Sequence, residues 1–331
     1  MQDVTHDVAS NLSSPLARYV AFASVAIIWG TTWVAIKLSL QGYPPVTGAV
    51  FRFVFAIAML GLYARVMRLS LALPRRTIVW VAVTAILVYV IDYGLVYWGE
   101  QYLNAGVTAI LFAVVPLATT LGAAFAFRTE RLRYRQLAGI FVGLLGIVAV
   151  FLDPLVATGF SVKVSLAAVA IVVAALAAAF NIVIAKRHLM LVDAVPLTLH
   201  QMVWGTLGLG IISAITGEWR DIHYSLSATL AVLYLGLAGS AAAFVMYYSL
   251  LRTMRASTLS TISYVTPLVA VFSGWIVLNE SLSLRVASGV VAIFVGLATI
   301  ECDGLRAILR RSSRRPLPKL PESKVQTESR A

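Results

Sequence analysis

Apolar runs of about twenty residues recur along almost the whole chain, separated by short polar or basic connections. Their limits read as Tyr19–Leu38, Val46–Met67, Ile78–Trp98, Ala105–Phe127, Gln136–Leu152, Ser165–Ala185, Pro196–Thr216, Ser227–Tyr248, Ser257–Leu278 and Ser283–Cys302. At about 1.5 Å per residue each run is long enough to cross a bilayer core about 30 Å thick. The pattern predicts an all-α integral membrane protein with ten transmembrane helices. The connections leave no room for an extramembrane domain.

One stretch is written twice. Ala105-Gly-Val-Thr-Ala-Ile-Leu-Phe-Ala-Val-Val-Pro116 aligns without a gap on Ala256-Ser-Thr-Leu-Ser-Thr-Ile-Ser-Tyr-Val-Thr-Pro267. Dropping one residue after the proline sets Glu130 on Glu280, Leu132 on Leu282, Arg135 on Arg285, Gly139 on Gly289 and Gly146 on Gly296. A repeat of half the chain fixes the architecture. It divides the sequence into a tail at 1–18, a first five-helix repeat at 19–152, a second at 165–302 and a basic tail at 303–331.

Composition agrees with the membrane reading. The chain of 331 residues is 60% hydrophobic and only 12% charged, with a mean hydropathy of +0.89; soluble chains carry about 25% charged residues. The net charge of +12 does not point to nucleic acid, because the basic residues lie between spans. With both termini inside, thirteen of them fall on the inner side before the tail, against Lys37, Lys163, Arg220 and Arg285 outside. That bias sets the amino terminus in the cytoplasm. An odd number of spans per repeat makes the second repeat enter from the opposite side, and the charge bias around the two copies reverses accordingly. Inverted repeats around a central site are the architecture of secondary transporters. The first eighteen residues lack a basic n-region and a small-residue cleavage site, so the first apolar run is expected to remain in the mature protein. The tail from Asp303 is expected to lie disordered against anionic lipid.

Trp29-Gly-Thr-Thr-Trp-Val-Ala-Ile-Lys37, followed by Pro45 and Arg52-Phe53, resembles the opening of an EamA-type permease of the drug/metabolite transporter (DMT) superfamily. The Ala105–Pro116 segment, the Glu130 and Glu280 turns and the glycine-rich fifth and tenth spans match the same pattern. The resemblance covers nearly all of 19–302. It implies two inverted five-helix repeats around a central substrate cavity, with the fifth and tenth helices set away from it. Amino acids and related exported metabolites are the substrates it suggests first, and a bacterial inner (plasma) membrane is the expected location.

Charge inside a span needs a reason. Arg52 and Asp92 each lie about six residues from the outer end of their spans, hence at similar depth, and are expected to pair. The pair is read as a helix clamp or as a gate or proton-coupling site. Asp92 is taken as the only acid well inside a span, with Glu301 near the inner end of the tenth. Lys37, and Lys186 in the matching place of the second half, are expected to snorkel to the headgroups; a contact with a substrate carboxylate is the alternative for Lys37. Asn181 is read as helix glue or a substrate contact, and His200 as an interfacial histidine beside Gln201. Tyr89, Tyr93 and Tyr97 recur every fourth residue and so share one face, which should turn inward. Trp33, Tyr93, Tyr97, Asn181, Tyr248 and Tyr264 are the candidate cavity residues, suiting amphipathic organic solutes. Pro116 and Pro267 are candidate hinges, since each removes a backbone hydrogen bond. Gly139, Gly143, Gly146, Gly289 and Gly296 are read as close helix contacts, within the bundle or across a homodimer.

The leading reading is a permease of small organic metabolites working by alternating access, with a small-molecule substrate and lipid as partners and no cofactor or metal. His6, His188, His200 and His223 are too scattered for a metal site, and the lone Cys302 can form no internal disulfide. No hydrolase or metalloprotease motif argues for an enzyme. Drugs and nucleotide or phosphorylated sugars are alternative solutes. The latter would need more cations than Arg52 and Lys37 supply. A receptor or scaffold without transport is disfavoured by the inverted duplication.

Overall fold

The computed structural model describes residues 14–125, parts of 134–149, and most of 161–299. Both tails, Glu130, the arginines at 128, 131, 133 and 135, Arg255, Arg285, Glu301, Cys302 and the side chain of Tyr264 lie outside the described residues. All elements among the described residues are helical.

Seven helices are long and apolar enough to span a membrane: α1 (Pro15–Ser39), α2 (Pro45–Val66), α3 (Arg75–Glu100), α4 (Ala105–Gly122), α5 (Val162–His188), α6 (Ala194–Thr216) and α7 (Leu226–Thr253). The other three expected spans are shorter or only partly described. The ninth is broken at Thr261 into Ala256–Ser260 and α8 (Ile262–Leu278). The tenth is represented by α9 (Ala287–Gly296). The described residues between 138 and 149 are helical.

Local chemistry places the helix ends. Ser14 accepts the Ala17 amide at 3.1 Å while Pro15 supplies a preset first turn, so α1 starts there. Ser225 caps α7 through the Ala228 amide at 3.2 Å. Gly217 closes α6 at φ 74°, a left-handed conformation that suits a residue without Cβ. Acidic side chains from the second half cap helices of the first. Glu218 accepts the Val46 and Thr47 amides at 2.9 and 3.1 Å, and Glu280 accepts those of Ala105 and Gly106 at 2.9 and 3.2 Å. The positive end of each helix dipole thus meets a carboxylate.

The halves interleave. The most extensive packing runs between α3 and α5, between α1 and α7, and between α1 and α8. Large apolar side chains such as Leu62, Ile215 and Trp275 are exposed on the outside, as a lipid-facing surface requires. The glycines of 139–146 and 289–296 meet within one chain. A Cβ on Gly146 would fall 2.7 Å from the Gly289 carbonyl oxygen, and one on Gly296 would fall 2.4 Å from that of Gly139. Only hydrogen fits at this crossing, which answers the packing expectation for these residues within the bundle.

Two features break helical regularity at matching places. The alignment that sets Ala105 on Ala256 also sets Ile86 on Leu237, and π-helical segments begin at both: Ile86–Asp92 in α3 and Leu237–Ala242 in α7. Helix α4 is interrupted by a turn at Ala113–Val114, just before Pro116. Pro267 lies inside α8, six residues beyond the break at Thr261.

Candidate functional site

An interior cavity of about 100 Å³ opens partly to solvent. Its wall is drawn from α1, α3 and α4 in the first half, and from α5, α7 and the Ala256–Ser260/α8 pair in the second.

Of the candidate residues, Trp33, Tyr93, Asn181 and Asp92 line this cavity. Tyr97 and Tyr248 do not. Both are buried behind the wall, at 0% and 1% exposure, and Tyr248 accepts a long 3.5 Å bond from the Asn181 amide. Tyr89 is equally buried and meets Phe53 edge-on at 4.8 Å. The π segment Ile86–Asp92 changes the phase between Tyr89 and Tyr93, whereas Tyr97 follows Tyr93 by one regular α-helical turn. Bonding from i to i+5 shifts the phase that a spacing of four assumes.

Aromatic rings dominate the wall. Trp29 stands 5.3 Å from Phe244 and 5.0 Å from Tyr247, Tyr93 lies 6.2 Å from Phe244, and Trp33 meets Phe112 at 5.3 Å. The indole N–H of Trp29 is spent on the Gly239 carbonyl at 3.2 Å, so this residue offers the cavity its ring. By contrast, the Trp33 indole nitrogen, the Tyr247 hydroxyl and the Asn181 side-chain oxygen are buried without a protein partner. Buried polar atoms are normally satisfied, so three unsatisfied ones in a single wall mark a place where a ligand can bond. Of these wall residues, Trp33, Tyr93 and Asn181 are among the cavity candidates of the sequence, whereas Trp29, Phe112, Phe244 and Tyr247 are not.

Arg52 and Asp92 do not form the expected ion pair. Among the described residues none joins them. Arg52 is 1% exposed. Its Nε donates to the Ser240 hydroxyl at 2.7 Å, and its Nη2 donates to the Tyr93 hydroxyl at 3.2 Å and the Gly239 carbonyl at 3.3 Å. The guanidinium also lies 4.4 Å from the centre of the Tyr93 ring, a cation–π contact. Arg52 therefore clamps α2 to the π segment of α7 and acts on Asp92 through its field. No donor among the described residues bonds the Asp92 carboxylate, which faces the cavity.

The lysines also differ from expectation. Lys37 donates to the Glu100 carbonyl and, at 2.6 Å, to that of Leu103. Lys186 donates to the carbonyls of Leu251 and, at 2.8 Å, Met254. The repeat alignment places Glu100 on Leu251 and Leu103 on Met254, so the two lysines make the same bonds in the two halves. Instead of snorkelling, each fastens the end of one helix to the end of another. Glu100 is a second buried acid, overlooked because it stands at a helix end. It is 0% exposed, both carboxylate oxygens lack a hydrogen-bond partner, and it lies within electrostatic reach of Lys37 and Glu280.

Gln201 joins α6 to α3 through the Thr84 hydroxyl at 2.7 Å, and His200 Nδ1 bonds the Pro196 carbonyl at 2.8 Å. Among the described residues no cluster of His, Cys, Asp and Glu is arranged to hold a metal ion.

Residues 17–152 and 165–301 each match the EamA-like transporter family. The Uncharacterized inner membrane transporter YedA of Escherichia coli K12 is 30% identical over 290 residues, covering 86% of this chain and 91% of that protein. Protein PagO of Salmonella typhimurium is 27% identical over 76% of this chain and 82% of its own length. The Uncharacterized transporter YoaV of Bacillus subtilis is 23% identical over 83% of this chain and 93% of its own length. One solved crystal structure superposes with a TM-score of 0.65 at 20% identity, covering 89% of this chain and 99% of that one. At that identity it speaks for the fold alone.

Proposed function

The chain belongs to the EamA-like transporter family, a multi-pass membrane permease family, and from that premise we propose that it carries small organic solutes by alternating access between two inverted five-helix halves. The observation that carries this reading is the composition of the cavity wall, which takes the matching helices from each half. Such a site sits where one half can rock against the other. Support for inversion comes from the reversed charge bias around the two copies and the repeated lysine bonds.

In this arrangement the termini are cytoplasmic, the membrane is a bacterial inner membrane, and Pro116 and Pro267 serve as hinges beside the cavity. Amino acids and related metabolites are the first solutes to assay, as the family resemblance suggests. Arg52 holds the wall in shape, while Asp92, Trp33, Tyr93 and Asn181 face the solute.

The test is uptake of labelled solutes into proteoliposomes, with and without an imposed pH gradient, for the wild type and Asp92→Asn. Uptake that depends on the gradient and is lost in Asp92→Asn makes Asp92 the coupling carboxylate. Uptake indifferent to the gradient leaves facilitated diffusion. Absence of protein-dependent flux for every small organic solute would overturn the reading.

A further inference from the structure

The cavity wall carries an unusual balance of charge. Asp92 is the only acidic or basic side chain among its described lining residues. Its carboxylate has no hydrogen-bond donor among the described residues, and Arg52 bonds Ser240, Tyr93 and Gly239 instead. Arg52 does not line the cavity. The two charges therefore form a dipole whose negative end is at the wall and whose positive end is behind it. A solute in the cavity meets the carboxylate first.

The remaining wall favours the same sign. Trp29, Tyr93, Phe244 and Tyr247 form a continuous set of rings, and ring faces attract cations. The Asn181 side-chain oxygen is a buried acceptor without a donor, suited to an N–H group. Among the described lining residues a solute carboxylate finds no cationic partner, only the Trp33 N–H, the Asn181 amide and hydroxyls, all neutral. Burying an ion without a counter-charge is costly.

We infer that the cavity binds protonated organic amines, an ammonium bearing at least one N–H next to an apolar or aromatic body, in preference to amino acids that keep their carboxylate. The inference rests on the permease reading and narrows its substrate. In the complex, the ammonium donates to Asp92 and to the Asn181 oxygen, and the aromatic set surrounds the body of the solute. Entry of the cation also brings Asp92 a donor that no described residue provides.

The experiment is equilibrium dialysis of labelled phenethylamine against the purified full-length protein, with 2-phenylethanol and phenylalanine as competitors. The alcohol keeps the shape and loses the charge; the amino acid keeps the ammonium and adds a carboxylate. Phenethylamine is expected to bind at least about tenfold more tightly than either. Asp92→Asn is expected to weaken the amine about tenfold or more while leaving the alcohol within about twofold. If that variant does not fold, the comparison of the three ligands on the wild type decides. Equal or tighter binding of phenylalanine or the alcohol would overturn the inference, as would an Asp92→Asn protein that binds the amine like the wild type. Transport of phenylalanine with no binding of phenethylamine would overturn it and leave the permease reading standing.

Discussion

Lys37 and Lys186 hold equivalent posts in the two halves, each donating to two carbonyls where a neighbouring helix ends. Those carbonyls have no partners within their own helices. An ammonium there satisfies them and opposes the negative end of the helix dipole. Lys37→Met removes both bonds and leaves the buried Glu100 without its nearest cation. Loss of about 1–3 kcal/mol of stability is expected, read as a lower unfolding midpoint in detergent. Lys186→Met should lose less, since Leu251 stands where Glu100 does. The exposed Lys163→Met should change little.

Arg52 predicts a sharper failure. Its fork reaches Ser240, Tyr93 and Gly239 together, which a lysine ammonium on a flexible stem cannot reproduce. Arg52→Lys is expected to lower the folded yield and the unfolding midpoint, with a cost of about 2–4 kcal/mol. In a double-mutant cycle with Ser240→Ala the two losses should fall short of additive, because they share one bond.

The helix caps give a graded test. Glu280→Gln keeps the shape of the carboxyl but loses its charge at the start of α4. A loss of about 0.5–1 kcal/mol is expected, and about 1–2 kcal/mol for Glu280→Ala. Glu218→Gln should behave similarly at α2. Thermal unfolding of the three variants in one detergent checks the ranking.

Glycine substitutions should divide by contact. Gly146→Ala puts a methyl group 2.7 Å from the Gly289 carbonyl and forces the crossing helices apart. The expected cost is about 1–3 kcal/mol. At Gly61 nothing lies within 4 Å of an added Cβ, so Gly61→Ala should be neutral or stabilising by up to about 1 kcal/mol. Opposite signs for the two variants are the discriminating result.

Much of this architecture is legible in the residues, and the rest is hidden for physical reasons. Long apolar runs and the copy of Ala105–Pro116 at Ala256–Pro267 reveal the spans and the repeat, because bilayer thickness and duplication both leave linear marks. The cavity is less visible. Asp92 stands out as a charge in an apolar run, whereas Trp29, Phe112 and Phe244 look like any span aromatic until helices from both halves meet. Equal spacing of Tyr89, Tyr93 and Tyr97 suggests one shared face, but only Tyr93 of the three reaches the cavity. Glu100 and Lys37 sit at helix ends, where polar residues ordinarily meet water. Glu100 is instead fully buried, within electrostatic reach of Lys37 and of Glu280 from the other half.

Alternating access at the shared cavity is tested most directly by thiol accessibility. Cys302, the single native cysteine, is replaced by serine, and Thr32→Cys places one thiol in the cavity wall on α1. Membrane-impermeant thiol reagent is then added to right-side-out and inside-out vesicles separately. The account predicts modification from each face, with a saturating transported solute changing the two rates in a correlated way. Modification from one face alone under every condition, unaffected by any solute, would contradict it.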